Sequence, residues 1–325
     1  MNLDFTGKTV LVTGAAGFIG SHLVDRLLAE GAEVTGLDNL ITGSMENLVE
    51  AIKSPRFDYI ETEVVEWALR QAQGKPTPET SFNMIYHLAS PASPVAYQHN
   101  PVATYLVNSL GTHHLLELAV QHKSQFLFTS TSEIYGNPLE HPQKETYFGN
   151  VNPIGPRACY DESKRFGEMV CSIFKSRYQV DCRIGRIFNT YGPRMQADDG
   201  RVIPTFINQA LTKRPITIEG SGQQSRSFCF IEDMIEYLIR LMTTPAAANE
   251  VINLGNPEEI TIRAVAELIK ELTGGEAELK QVEGREEDIE RRQPDIGKAI
   301  ALLRYHPRIS FREGLDRTLA YFQQP

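Results

Sequence analysis

The stretch KTVLVTGAAGFIGSHLVDRLLAEGAEVTGLD, residues 8 to 38, decides the fold. Lys8 to Thr13 is a short apolar run rich in β-branched residues, and it stops at the turn Gly14-Ala15-Ala16-Gly17-Phe18-Ile19-Gly20. A helix follows the turn and continues through Ser21 to Glu30, with Ile19, Leu23, Leu27 and Leu28 on one stripe, closed by Gly31. A second strand, Glu33 to Leu37, ends in Asp38, 18 residues beyond Gly20. A glycine turn alone also occurs for packing reasons. Strand, turn, helix, strand and acid in that order predict a dinucleotide site. Glycines let the backbone approach a pyrophosphate, the helix N-terminus stabilises its charge, and the carboxylate accepts ribose hydroxyls. Asp38 would repel a 2′-phosphate, so NAD is expected rather than NADP.

Outward from this unit, β and α patterns alternate. Phe57 to Ile60, Asn83 to His87, Gln125 to Thr129 and Val180 to Ile187 read as strands, and Pro101 can open a helix running to about His122. The polar, Gly/Pro-containing stretch from Ala68 to Ser81 reads as an exposed loop. The alternation predicts an α/β fold, a Rossmann-like doubly wound parallel sheet with helices on both faces. Ligands of such sheets sit at the carboxyl ends of the strands, where Gly14, Asp38, Ala89 and Thr131 would lie. From Asn189 onward proline and glycine become frequent, elements shorten, and arginines recur at 186, 194, 201, 226, 285, 291 and 292. The expected organisation is a NAD-binding domain over 1–188 with returns near 227–255, interleaved with a smaller C-terminal substrate-binding domain over 189–325. The returns to the main sheet are expected around Ser227 to Phe230 and Val251 to Leu254. Singly, each arginine reads as a solvated charge. As a set lining one cleft they would hold a nucleotide diphosphate by bidentate bonding.

That requirement is local, because the chain as a whole is acidic. Its 325 residues carry a formal net charge of −9, with 41% hydrophobic and 22% charged residues, and a pI near 5.5. This balance argues against a nucleic-acid or acidic-membrane surface. The opening MNLDFTGKTV lacks a basic segment followed by an apolar one, and no run approaches the ~18 apolar residues of a membrane helix. The cytoplasm is the expected compartment. Cys159, Cys171, Cys182 and Cys229 lack Cys-x-x-Cys spacing, and the eight histidines offer no His-x-x-x-His pair, so no metal is expected.

An acid/base site is read from Ser130-Thr131-Ser132-Glu133 and the later run Tyr160-Asp161-Glu162-Ser163-Lys164. Tyr160 and Lys164 are four apart and share a helix face, and an ammonium beside a phenol favours the phenolate. A tyrosine so placed can take a proton from a sugar hydroxyl.

The glycines at 14, 17 and 20 with this Tyr-x-x-x-Lys resemble the extended, sugar-nucleotide branch of the short-chain dehydrogenase/reductase superfamily. More specifically, HLASPASP (87 to 94), STSEIYGNP (130 to 138), VNPIGPRACYDESKR (151 to 165), RIFNTYGPRM (186 to 195), DDGRVIPTF (198 to 206) and NLGNPEE (253 to 259) closely resemble the UDP-glucuronate decarboxylase family. The resemblance covers nearly the whole chain. It implies oxidation of C4 of UDP-glucuronate, loss of carbon dioxide from the resulting β-keto acid, and return of hydride to give UDP-xylose, with NAD retained and recycled. By residue-to-residue matching it implies that Tyr160 takes the C4 hydroxyl proton, with Lys164 holding the nicotinamide ribose and Thr131 sharing the hydrogen-bond network. Ser132 and Glu133 match positions beside sugar C5, and Arg292 matches the arginine near the substrate carboxylate. Asn189, Arg201, Arg226 and Pro91 match substrate contacts. Beyond Gly14, Gly17, Gly20 and Asp38, the cofactor contacts implied are Phe18, Ile19, Asn39, Thr42, Gly43 and Thr104, with Tyr160 and Lys164.

The same matching implies a homodimer through the helices Pro101 to His122 and Tyr160 to Tyr178. Departures from the family pattern fall on the cofactor side: Ser44 after Thr42-Gly43, Glu63 before Val64, Ala103 before Thr104, and the long Ala68 to Ser81 segment. Within enzymes, a UDP-glucuronate 4-epimerase or a 4,6-dehydratase stays open. A non-catalytic NAD-binding sensor is the alternative of another class.

Overall fold

The computed structural model describes residues 4–74, 81–284 and 289–324. The first apolar run forms β1 (Thr9–Thr13), and its side chains alternate between two separate cores. Val10 and Val12 join one core, Leu11 the other. A strand apolar on both faces belongs inside a helix-covered parallel sheet, and each such side chain buried contributes ~1.5–3 kcal/mol.

The sheet is built from β1, β2 (Glu33–Asp38), β3 (Phe57–Glu61), β4 (Met84–His87), β5 (Gln125–Thr131), β6 (Cys182–Ile187) and the strand Val251–Leu254. Its order is Val251–Leu254, β6, β5, β4, β1, β2, β3. Every pairing is parallel. From β1 the chain moves one way to β2 and β3, then returns to build β4, β5 and β6 on the other side. The crevice at that reversal, between β1 and β4, is where a ligand fits such a sheet.

Helix α1 (Phe18–Ala29) buries Leu23, Val24 and Leu27 in the first core together with Leu238 and Leu241 of the 231–243 helix. The second core lies on the opposite face. It draws Val64 and Ala68 from α2 (Val64–Gln73), Leu115 and Leu116 from α5 (Thr112–His122), and Val170 and Phe174 from α6 (Ala158–Tyr178). Helices α3 (Pro94–His99) and α4 (Pro101–Leu106) line the path between β4 and α5, each with proline in its first turn.

Several expectations shift. Helix α1 starts at Phe18, inside the glycine turn, so Gly17 is its N-cap and Gly20 lies in its first turn. Ala68 to Gln73 is helix rather than loop: α2 runs on because Val64 and Ala68 supply an apolar face, and Gly74 caps it. Residues 75–80, like Arg285, lie outside the described residues. The helix expected from Pro101 to His122 is broken by a π-helical turn at Val107–Gly111. Strand β5 extends to Thr131 and so carries it to the carboxyl edge of the sheet.

Of the two returns, only Val251–Leu254 joins the main sheet, beside β6. Cys229–Phe230 pairs instead with Thr190–Tyr191. Ser225–Ser227 pairs with Glu259–Thr261 and Arg291–Arg292. These pairings are only two or three residues long, too short for an alternation pattern to reveal.

Candidate active site

A cavity of about 640 Å³ opens over the carboxyl ends of β1, β2, β4 and β5. Its cofactor-side wall is the first glycine turn. Gly14 has φ +73°, and a side chain there would meet the Ala89 backbone nitrogen at 2.8 Å. At Gly20 a Cβ would sit on the Gly14 carbonyl oxygen. Gly17, Phe18 and Ile19 also line the wall. Asp38 ends β2 with its carboxylate accepting from Ala16 N at 2.9 Å and Leu40 N at 2.8 Å. Burial raises the Asp38 carboxyl above its ordinary value, against the lowering effect of these backbone bonds. A turn of glycine and alanine at a helix N-terminus, followed by a fixed carboxylate at the next strand end, fits a dinucleotide.

Asn39 and Thr42 line the same wall, and the Asn39 amide donates to Glu63 Oε1 at 2.9 Å. Gly43 and Thr104 do not reach it. Gly43 packs behind Asp38, where a Cβ would lie 2.9 Å from Oδ1. Thr104 is fully buried and its hydroxyl donates to the Asn100 carbonyl at 2.8 Å, so Ala103 takes the place on the wall. Gly20→Ala is expected to cost at least a roughly tenfold loss of NAD affinity, ~1.4 kcal/mol, because the carbonyl it displaces is part of the turn. Titration of NAD into cofactor-stripped protein checks this, and unchanged affinity would contradict it.

The acid/base half is assembled from β5 and α6. Thr131 ends β5, and its hydroxyl accepts from Glu133 N at 3.2 Å, starting the single helical turn Ser132–Tyr135. Helix α6 begins at Ala158, which places Tyr160 in its first turn and Lys164 one turn on. The Tyr160 ring stacks on Tyr97, with centroids 5.2 Å apart and planes within 5°. Lys164 is buried beneath, its Nζ donating to the Thr129 carbonyl at 2.8 Å and lying 4.8 Å from the Phe128 ring centre.

Against the expected support of the Tyr160 phenolate by Lys164 stands the cost of burial. Burial pushes the phenol up to about 12, opposed by a hydrogen bond with Thr131. Burial also pulls Lys164 down to about 7. Lys164 bonds a backbone carbonyl rather than the phenol, and both groups lose water, so desolvation wins over proximity.

The π-turn supports this arrangement from behind. Asn108, fully buried within it, donates to Ser163 Oγ and Ser90 Oγ, both at 3.0 Å, which links the turn to α6 and to the cavity wall. The turn's Val107 carbonyl lies 3.2 Å from His87 Nε2, while His87 Nδ1 meets the Thr13 hydroxyl at 2.8 Å. Helix α6 and the carboxyl ends of β1 and β4 are thereby joined by side chains.

At the sugar end, Glu133 is held by two guanidinium groups, those of Arg157 and Arg292. It is not a solvated, idle carboxylate. Arg292 also donates to the Gly136 carbonyl at 2.9 Å. Ser132 is buried and lines the cavity beside Glu133. The arginine set divides. Arg194, Arg201, Arg226 and Arg292 line the cavity together with Asn189 and Pro91, whereas Arg186 is turned to Glu168 at 2.8 Å and Arg291 to Glu259. Arg226 and Arg292 are register partners on neighbouring short strands. Arg201 pairs with the buried Asp199. Arg157, Tyr97 and Asp199 escape sequence reasoning; Arg157, inside the string that carries Tyr160, and Asp199, inside the string that carries Arg201, had a signal to follow. Away from the cavity, His114 Nδ1 lies 2.9 Å and His113 Nε2 3.5 Å from Glu117 on α5, a group whose mutual pairing accounts for it.

The glycine turn, the fixed strand-end acid and the Thr131–Tyr160–Lys164 constellation define a nicotinamide-dependent sugar-nucleotide fold, and the chain belongs to the NAD dependent epimerase/dehydratase family, whose model matches residues 10–255. Within it, similar curated proteins include UDP-glucuronic acid decarboxylases. UDP-glucuronic acid decarboxylase 1 of Arabidopsis thaliana is 48% identical over 97% of this chain and 69% of its own length. The enzyme of the same name from Xenopus tropicalis is 44% identical over 98% of this chain and 72% of its own. Among solved structures, the UDP-glucuronic acid 4-epimerase of Bacillus cereus, in complex with UDP-glucuronic acid and NAD, superposes with a TM-score of 0.85 at 28% identity. That match covers 97% of this chain and 99% of the epimerase.

Proposed function

We propose that the protein converts UDP-glucuronate to UDP-xylose and carbon dioxide. The observation that carries the reading is a carboxylate, Glu133, fixed by two arginines, two residues from Thr131 and lining the same cavity as Tyr160. Chemistry confined to C4 needs Thr131, Tyr160 and Lys164 but no second acid/base group. A reaction that also replaces a carboxylate at C5 by hydrogen does.

NAD, held by the glycine turn and Asp38, supplies the acceptor for the C4 hydride and its later donor, and its oxidised ring brings a positive charge that opposes the burial raising Tyr160. Tyr160 takes the C4 hydroxyl proton and Thr131 hydrogen-bonds the same oxygen, stabilising the charge that develops there. With C4 a ketone, the bond from C5 to its carboxylate breaks and the electrons spread onto the ketone oxygen. Glu133, with Ser132, then passes a proton to C5. Arg292 orients the carboxylate before it leaves. Too firm a grip would oppose departure, and the competing hold of Arg292 on Glu133 limits that grip. In the smaller part of the chain, 189–325, Asn189, Arg201 and Arg226 are assigned to the UDP portion. The cationic side chains there supply what an acidic protein otherwise lacks. The test is the product made from UDP-glucuronate: a UDP-pentose supports the reading.

The protein is further proposed to work as a homodimer, with the cytoplasm as its expected compartment. Val102, Tyr105 and Leu110 on the Pro101-to-His122 segment, and Phe166, Met169 and Ile173 on α6, are 43–56% exposed. Two adjacent helices with apolar outer faces support pairing with a second copy. Among the described residues no helix is long and apolar enough to cross a membrane. Light scattering is expected to give about twice the 36.4 kDa chain mass; a value near 36.4 kDa would contradict the dimer.

A further inference from the structure

The two guanidinium groups on Glu133 come from different parts of the fold. Arg292 stands on the short strand Arg291–Arg292, with a side chain only 2% exposed. Arg157 is the N-cap residue of α6, and its Nε lies 3.7 Å from an oxygen of Asp161, one turn on. The Arg157 contact therefore fastens the turn after β5 to the N-terminus of the helix that carries Tyr160.

Of the two cations, Arg157 also faces Asp161, whereas Arg292 is held by Glu133 and the Gly136 carbonyl. A substrate bringing its own carboxylate to this end of the cavity competes for them. On the decarboxylase reading, from which this inference follows, the competitor lies on C5 and its partner is Arg292. A guanidinium divided between two carboxylates holds each less firmly. Arg157, by contrast, is backed by Asp161 and belongs to the same rigid helix end as Tyr160.

We propose that Arg157 is a positioning residue that keeps Glu133 at sugar C5 when the substrate carboxylate draws Arg292 away, so that C5 is protonated on one face before the 4-keto pentose can escape. The step balances as follows in atoms and charge. The C5–carboxylate bond breaks, carbon dioxide leaves, and the electron pair moves into the enolate on C4. Glu133 relays one solvent proton, which forms the new C5–H bond, and its anion returns to Arg157.

The experiment compares the holoenzyme with its Arg157→Ala and Arg157→Lys variants on UDP-glucuronate in deuterium oxide, with products read by NMR. For Arg157→Ala, kcat is expected to fall ~100-fold, as for a misplaced reacting group, while KM stays within about threefold. A larger share of the flux should leave as UDP-4-keto-pentose, and deuterium should enter both C5 positions of the UDP-xylose formed. Arg157→Lys keeps one charge without the fork and should lie between. It is also the variant to read, by the same criteria, if alanine prevents folding. A purely structural role would slow turnover without moving either ratio. UDP-xylose labelled at a single C5 position with unchanged keto-sugar release, at whatever rate, overturns the proposal. So does an alanine variant that folds and retains NAD yet forms no NADH, because the role claimed begins after C4 oxidation. Failure of the unaltered enzyme to release carbon dioxide from UDP-glucuronate would instead sink the decarboxylase reading beneath it.

Discussion

Tyr160→Phe is expected to reduce kcat by roughly 10³-fold, within the range for loss of a positioned general base, while leaving NAD bound and UDP-glucuronate affinity nearly unchanged. The change removes one oxygen. The phenyl ring can keep its stack on Tyr97, and Lys164 keeps its bond to the Thr129 carbonyl, since neither contact uses the hydroxyl. The buried ring site tolerates phenylalanine by size. What disappears is the acceptor for the C4 proton and the partner of Thr131. Single-turnover absorbance of NADH together with binding titrations reads this, and retained turnover would remove Tyr160 from the chemistry. Loss of NAD along with turnover would instead assign it to the frame of the site.

Glu133→Gln has the second large effect, and its signature is different. The amide cannot relay a proton to C5, so UDP-xylose formation is expected to fall by ~10²–10⁴-fold. Oxidation at C4 should survive, because Thr131, Tyr160 and Lys164 are untouched. Affinity for UDP-glucuronate should hold or rise: Arg157 and Arg292 lose the carboxylate that now engages both, and a substrate carboxylate replaces it. The unliganded variant should be less stable, since breaking a buried pair by removing one charge costs about 3–5 kcal/mol and Glu133, 16% exposed, lies somewhat below that. UDP-glucuronate should restore part of the lost Tm, whereas UDP-glucose, lacking the carboxylate, should restore less. Equal protection by both would contradict the two-arginine picture.

The cofactor half of the site is legible in sequence because it is local. Gly14, Gly17, Gly20 and Asp38 lie within one βαβ unit, and strand, turn and helix fix their relative places without help from the rest of the chain. Tyr160 and Lys164 are legible for the same reason, one helical turn apart. Their electrostatics are not, since burial, which dominates both groups, is a property of the packed whole. The sugar end depends on distant pairing. Glu133 meets Arg292 across 159 residues, through a two-residue strand that no periodicity marks, and Arg157 gives no sign in sequence of facing β5. The π-turn at Val107–Gly111 is equally hidden: Pro101 to His122 reads as one helix, and only the buried bonds of Asn108 explain why the backbone widens there.

The central claim is that this site removes the C5 carboxylate. The most direct measurement is the product of the purified holoenzyme given UDP-glucuronate with a labelled carboxyl carbon, followed by mass spectrometry and NMR. Labelled carbon dioxide and a UDP-pentose with the xylose configuration, formed without net consumption of NAD, are predicted. A UDP-sugar of unchanged mass with C4 inverted, or no conversion at all, would contradict it.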